Sequence, residues 1–191
     1  MLIMLYTINI AYASTDYPQT SGQSAVLLDG NSYRVLWGKN IDKQLPMAST
    51  TKLMTALVAI ENTNLTNTVV VPKEAQGVEG SSIYLTAGEQ LTVEDLLYGL
   101  MLRSGNDAAI AIAHEVGMGD IDRFIALMNA TARKIGVYNT NFENPHGLPS
   151  DNHYTTAHDL AKVAAYALKN KTFEKIVSDF NMEELGNFLF V

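Results

Sequence analysis

Residues 53–60 constrain the fold more than any other segment. Leu53, Ala56, Leu57 and Ile60 take the i, i+3, i+4 and i+7 places of a helix, and Met54 and Val58 make its other sides apolar too. A helix apolar nearly all round has no face for water, so it belongs in the middle of a domain. The rest of the chain must surround it. With 191 residues, 47% of them apolar and 17% charged, the chain has the length and composition for one domain or one and a half, and it is not a disordered polymer.

The flanking segments supply candidate walls. Ser24 to Leu28 and Tyr33 to Trp37 are β-rich and bracket the turn residues Asp29-Gly30-Asn31, which predicts a hairpin. Short strands are expected at Thr68 to Val71 and Ser82 to Leu85. Thr92 can cap a helix whose first turn carries Glu94 and Asp95. Further helices are expected from Asp107 to Val116, from Asp120 to a stop at Gly136, and from Thr156 through Leu168, with a long loop from Asn139 to Thr155. Two strands, a buried helix, short strands and then a run of helices make an α+β pattern. It is lopsided, because a two-strand sheet with an open edge is marginal on its own and no strand is expected after Lys169.

A net charge of −7 with no basic run argues against nucleic acid or an anionic membrane surface as partner. The absence of cysteine excludes disulfides, thiolate zinc sites and thiol nucleophiles. Residues 1–13 read as the apolar region and cleavage site of a signal peptide, with Ala11-Tyr12-Ala13 before Ser14. The expected mature chain, 14–191, would then lie outside the cytoplasmic membrane. The positive leader region is absent, so an ordinary buried segment is the alternative. No stretch reaches the ~20 apolar residues of a membrane span.

Ser49-Thr50-Thr51-Lys52 opens the central helix, and the i, i+3 spacing puts Ser49 and Lys52 on one face. A serine is a weak nucleophile until a base takes its proton, and burial can lower a lysine pKa far enough to make it that base. A serine cap beside a surface lysine is the bland alternative. Ser104-Gly105-Asn106 sits between two helices and can carry a hydroxyl and an amide towards Ser49, although a Ser-Gly turn with an Asn cap reads the same way. Ser150-Asp151-Asn152 fits the same template without joining two helices directly. His114-Glu115 begins like a zinc motif, but Met118 stands where the second histidine belongs. His146 and His153 are expected to brace the long loop, and no metal is expected.

Taken in order, 46–55 (Pro46-Met47-Ala48-Ser49 onward), 102–109 (Leu102-Arg103-Ser104-Gly105-Asn106 onward) and Asn144-Pro145-His146-Gly147-Leu148 resemble the low-molecular-weight penicillin-binding proteins. More narrowly, they resemble the serine-type D-alanyl-D-alanine carboxypeptidases, with 80–85 and 152–157 adding to the likeness. The Ser-x-x-Lys element is a known signature of that group. The resemblance implies a β-lactamase/transpeptidase-like α+β fold, a helical subdomain plus an incomplete antiparallel sheet. It implies Ser49 as nucleophile, Lys52 as base, Ser104 as proton donor to the leaving amine and Asn106 as holder of the substrate amide. Ser150 is thereby demoted to a loop residue. The implied substrate is a peptidoglycan stem peptide ending in D-Ala-D-Ala, with β-lactams as covalent inhibitors and no cofactor.

The sequence departs from that group in one respect. The Lys-Thr-Gly tripeptide expected on a far-wall strand does not occur, and Lys171-Thr172 is followed by Phe173. The chain is therefore expected to be a truncated copy without the family's membrane anchor, nearly inactive, with apolar surface exposed on the helix that carries Ser49. An inactive remnant or peptidoglycan-binding module is the second reading. A β-lactamase is the third, for which no separate Glu-x-x-x-Asn element is found.

Overall fold

The structure, a computed structural model, describes residues 18–179. The expected signal peptide at 1–13 lies outside the described residues.

The buried helix is α1, Lys52–Asn62. Met54, Ala56, Leu57, Val58 and Ala59 are each at most 1% exposed. Five helices pack around it: α2 (Val93–Arg103), α3 (Asn106–Val116), α4 (Ile121–Ile135), α5 (Ala157–Ala167) and α6 (Lys171–Ser178). The apolar exposure expected on α1 is therefore not found. Among the described residues, exposed apolar side chains lie elsewhere, including Leu27 and Leu36 of the N-terminal hairpin, each about half exposed, and Met118 after α3. The hairpin pairs β1 (Ala25–Leu28) antiparallel with β2 (Val35–Lys39), with a bulge between Leu27 and Leu28, and β1 rests on α5.

The helices start and stop where their end chemistry directs. Thr92 and Asp95 form a reciprocal capping box on α2. Asp120 caps α4, which ends at Gly136 in the left-handed region, and Thr156 accepts from the Asp159 N–H to open α5.

One expected strand is not formed, and one strand was not expected. Ser82 to Leu85 is not a strand, because the N–H groups of Ile83 and Leu85 donate to the Asp107 carboxylate instead of a ladder. The partner of β3 (Thr68–Val70) is β4, Gln90–Thr92, which was too short to stand out. Lys171-Thr172 opens α6 with Asn170 as its cap, and Phe173 and Ile176 are buried against the core. The fold is thus α+β, with two small antiparallel sheets set against a helical body.

The Asn139–Thr155 loop is pinned at both ends. Asn141 bridges Tyr154, and Leu45 bridges Thr155. The Asp159 carboxylate accepts from the Asn139 N–H and the Thr140 hydroxyl. These ties fold the loop back so that 145–148 lies against the start of α1.

Candidate active site

A 3-10 turn, Ala48–Thr51, precedes α1 and carries Ser49. Ser49 is exposed to a cleft of about 350 Å³, whereas Lys52 one turn later is 2% exposed. The nucleophile faces solvent and the amine lies beneath it. Ala48, just before the serine, has a left-handed backbone (φ 46), a conformation that costs a residue with a Cβ about 1 kcal/mol. Gly147 covers this turn. A methyl added there would lie 1.9 Å from the Ala48 carbonyl oxygen, and its own φ is +94, so both space and backbone require glycine.

The Lys52 amine has three polar neighbours: Asn106 Oδ1 at 2.6 Å, the His146 carbonyl at 2.9 Å and Ser49 Oγ at 3.3 Å. The first two can only accept. A neutral amine has two hydrogens and one lone pair, so those acceptors take both hydrogens and leave the lone pair facing Ser49 Oγ. Burial pushes the amine down to about 8, partly offset by the negative charge of Asp107. At pH 7 about a tenth of the molecules then hold it neutral, against under a thousandth for an ordinary lysine. Asn106 is fixed in turn, because its Nδ2 donates to the Glu79 carbonyl at 2.6 Å.

A second chain of contacts holds the turn from below. The Glu143 N–H donates to His153 Nδ1 at 3.0 Å. That leaves the proton on Nε2, 2.7 Å from Thr51 Oγ1, whose own hydroxyl donates to the Ala48 carbonyl at 2.8 Å. Burial lowers the His153 pKa and pushes His146 down to about 4, with the Lys52 charge and His153 adding to the second shift. Both imidazoles therefore serve as neutral braces, as expected for the loop.

The profile of the D-alanyl-D-alanine carboxypeptidase family, peptidase S11, matches residues 11–184. The chain belongs to this family. DacF of Bacillus subtilis, a D-alanyl-D-alanine carboxypeptidase, is 35% identical over 180 residues, covering 89% of this chain and 46% of its own length. DacC of Escherichia coli is 38% identical over 162 residues, 79% of this chain and 40% of its own. Among solved structures, the carboxypeptidase DacD of Francisella tularensis superposes with a TM-score of 0.81 at 35% identity, over 92% of this chain and 43% of that one. The Streptomyces K15 DD-transpeptidase gives 0.80 at 34%, over 85% of this chain and 66% of that one. This member of the S11 family thus has the transpeptidase/β-lactamase fold, and it spans about half the length of the curated relatives it matches.

The motif residues of this S11 chain are not equally placed. Ser49, Lys52 and Asn106 form one contact group. Ser104 is the left-handed C-cap of α2 (φ 57), half-buried, and its hydroxyl makes no hydrogen bond among the described residues. Asn106 lines the cleft and is 4% exposed, with Oδ1 accepting from Lys52 and Nδ2 donating to the Glu79 carbonyl, so it orients Lys52 while each end keeps capacity for one more hydrogen bond. Ser150 lines the cleft, but its hydroxyl donates to the Glu143 carboxylate, which fits a loop residue. Sequence reasoning missed the His146 carbonyl, Gly147, the Thr51–His153 contact and Asp107. The run from Asn144 to Leu148 was visible as a motif, but a backbone carbonyl leaves no trace in residue identity.

Proposed function

We propose that this chain carries the acyl-enzyme chemistry of a serine D-Ala-D-Ala carboxypeptidase acting on peptidoglycan stem peptides. The observation that supports this most is the buried Lys52 amine, whose two fixed acceptors leave its lone pair for Ser49 Oγ. In the forward step that lone pair takes the serine proton as Oγ attacks the carbonyl of the penultimate D-alanine. The N–H of Ser49 lies in the first helical turn, where no earlier helical carbonyl reaches it, and it can donate to the developing oxyanion. Ser104 passes a proton to the departing D-alanine amine and takes in exchange the one that Lys52 had accepted, which returns Lys52 to its neutral form, and water later releases the acyl group. A β-lactam carbonyl enters the same geometry and acylates Ser49.

The proposed place of action is outside the cytoplasmic membrane, where nascent peptidoglycan lies. Among the described residues no helix is long and apolar enough to cross a membrane. The test is release of D-alanine from diacetyl-Lys-D-Ala-D-Ala by the full chain, expected to be slow because the sequence holds no Lys-Thr-Gly tripeptide for the far wall of the cleft. Release that vanishes in Ser49→Ala supports the proposal, and release that persists in that variant contradicts it.

A further inference from the structure

Asp107 is a buried carboxylate next in sequence to the cleft-lining Asn106, and the chemistry above gives it no task. It is 1% exposed and follows Asn106 directly on α3. Every partner it has is a donor: Ser82 Oγ at 2.6 Å, the N–H groups of Ile83 and Leu85 at 3.0 Å each, and the Ala108 N–H at 2.9 Å. Four donors around two oxygens make an acceptor-only site, which a neutral amide could not fill without turning its NH₂ towards other N–H groups.

These bonds tie the 79–85 segment to the start of α3. The same segment is tied a second time through Asn106, whose N–H donates to the Ser81 carbonyl at 2.7 Å and whose Nδ2 donates to the Glu79 carbonyl. The clamp is tight enough to hold Tyr84 in the left-handed region (φ 62) with the residue 83% exposed, a conformation that a bulky residue adopts only when its surroundings impose it. Gly80 meets Asn106 so closely that an added methyl would lie 2.7 Å from Nδ2. The orientation of Asn106, and through it that of the Lys52 amine, thus depends on a segment fastened by Asp107.

We propose that Asp107 is a positioning residue for the base. It fastens the 79–85 segment that orients Asn106 towards Lys52, and its fixed negative charge is the counter-charge for the buried amine. This rests on Lys52 being the base proposed above. The groups facing that amine are Asp107 and Asn106 from α3, His146 and beyond it His153 from the long loop, and Ser49 from its own turn. Burial lowers both imidazoles, His146 to about 4, so among these groups Asp107 carries the charge at the pH where Lys52 titrates.

The test is a pH titration by NMR of the full chain carrying ¹³C-labelled lysine, with the Lys52 Cε signal identified by its loss in Lys52→Met. The wild-type midpoint is expected near 8. Asp107→Asn should lower it by roughly one pH unit, a tenfold change in the protonation constant. Ser82→Ala loosens the clamp but keeps the charge, and should leave the midpoint in place. An unchanged midpoint in Asp107→Asn, or equal shifts in the two variants, overturns the proposal. If Asp107→Asn does not fold, the wild-type chain decides: the Asp107 carboxyl carbon must show an inflection at the pH where Lys52 titrates, and its absence overturns the proposal. The titration needs no catalysis, so failure of the chain to react with penicillin would count against Lys52 as a working base without altering this result.

Discussion

Lys52 Nζ lies 2.6 Å from Asn106 Oδ1, closer than to Ser49 Oγ at 3.3 Å. The amide therefore fixes where the amine points, and the serine receives what direction is left. Asn106→Ala should free the amine to turn away and slow penicillin acylation by about 10²-fold, the scale of general-base catalysis. Asn106→Asp should act differently. A carboxylate there favours the charged amine, so the acid limb of the rate profile moves above pH 8. Stopped-flow acylation across pH distinguishes the two.

The wild-type profile has its own sign. Lys52 must be neutral to accept a proton, and burial sets its midpoint near 8. Acylation should rise about tenfold per pH unit up to that point and then level off. A profile flat from pH 6 to 9 would remove Lys52 as the base.

Gly147 offers a steric test. Gly147→Ala would place a methyl 1.9 Å from the Ala48 carbonyl in a backbone at φ +94. It should cost about 2 kcal/mol or more and displace the Ser49 turn. Gly88→Ala has the same kind of backbone (φ +85) with nothing within 4 Å, and should cost only about 1 kcal/mol with labelling intact. Thermal melts paired with penicillin labelling separate strain from collision.

The fold was legible wherever local chemistry was strong. The all-round apolar α1, the Thr92 and Thr156 caps, the helix start at Asp120 and the Gly136 stop were all readable from spacing and residue type. Ser82 to Leu85 misled because its alternation fits a strand, while its N–H groups are claimed by Asp107, 22 or more residues away in sequence. The α6 helix was missed because Lys171-Thr172 was weighed only as a motif. Of the site, Ser49 and Lys52 were visible because i, i+3 spacing is local. The turn of Asn106 towards Lys52 depends on Glu79 and on the 79–85 segment, and no local pattern encodes that contact.

The neutral histidines predict acid sensitivity. Both are held below their ordinary value by burial, His146 at about 4. Between pH 6.5 and 4 the unfolded chain binds protons that the folded chain refuses, so stability is full above 6.5 and falls towards 4. His153→Gln keeps a side-chain N–H for Thr51 without the titration, and should lessen this loss. Melting temperatures from pH 8 to 4 for both proteins check it; identical slopes would show that His153 contributes nothing.

The most direct measurement is intact-mass analysis of the full chain incubated with benzylpenicillin, followed by peptide mapping. One adduct equal to the mass of one penicillin, on the peptide that contains Ser49, is the predicted result. It should be absent in Ser49→Ala and slowed by about 10²-fold or more in Lys52→Ala. An adduct of the same yield in Ser49→Ala, or one mapping to Ser104 or Ser150, would contradict the assignment of Ser49 as the nucleophile.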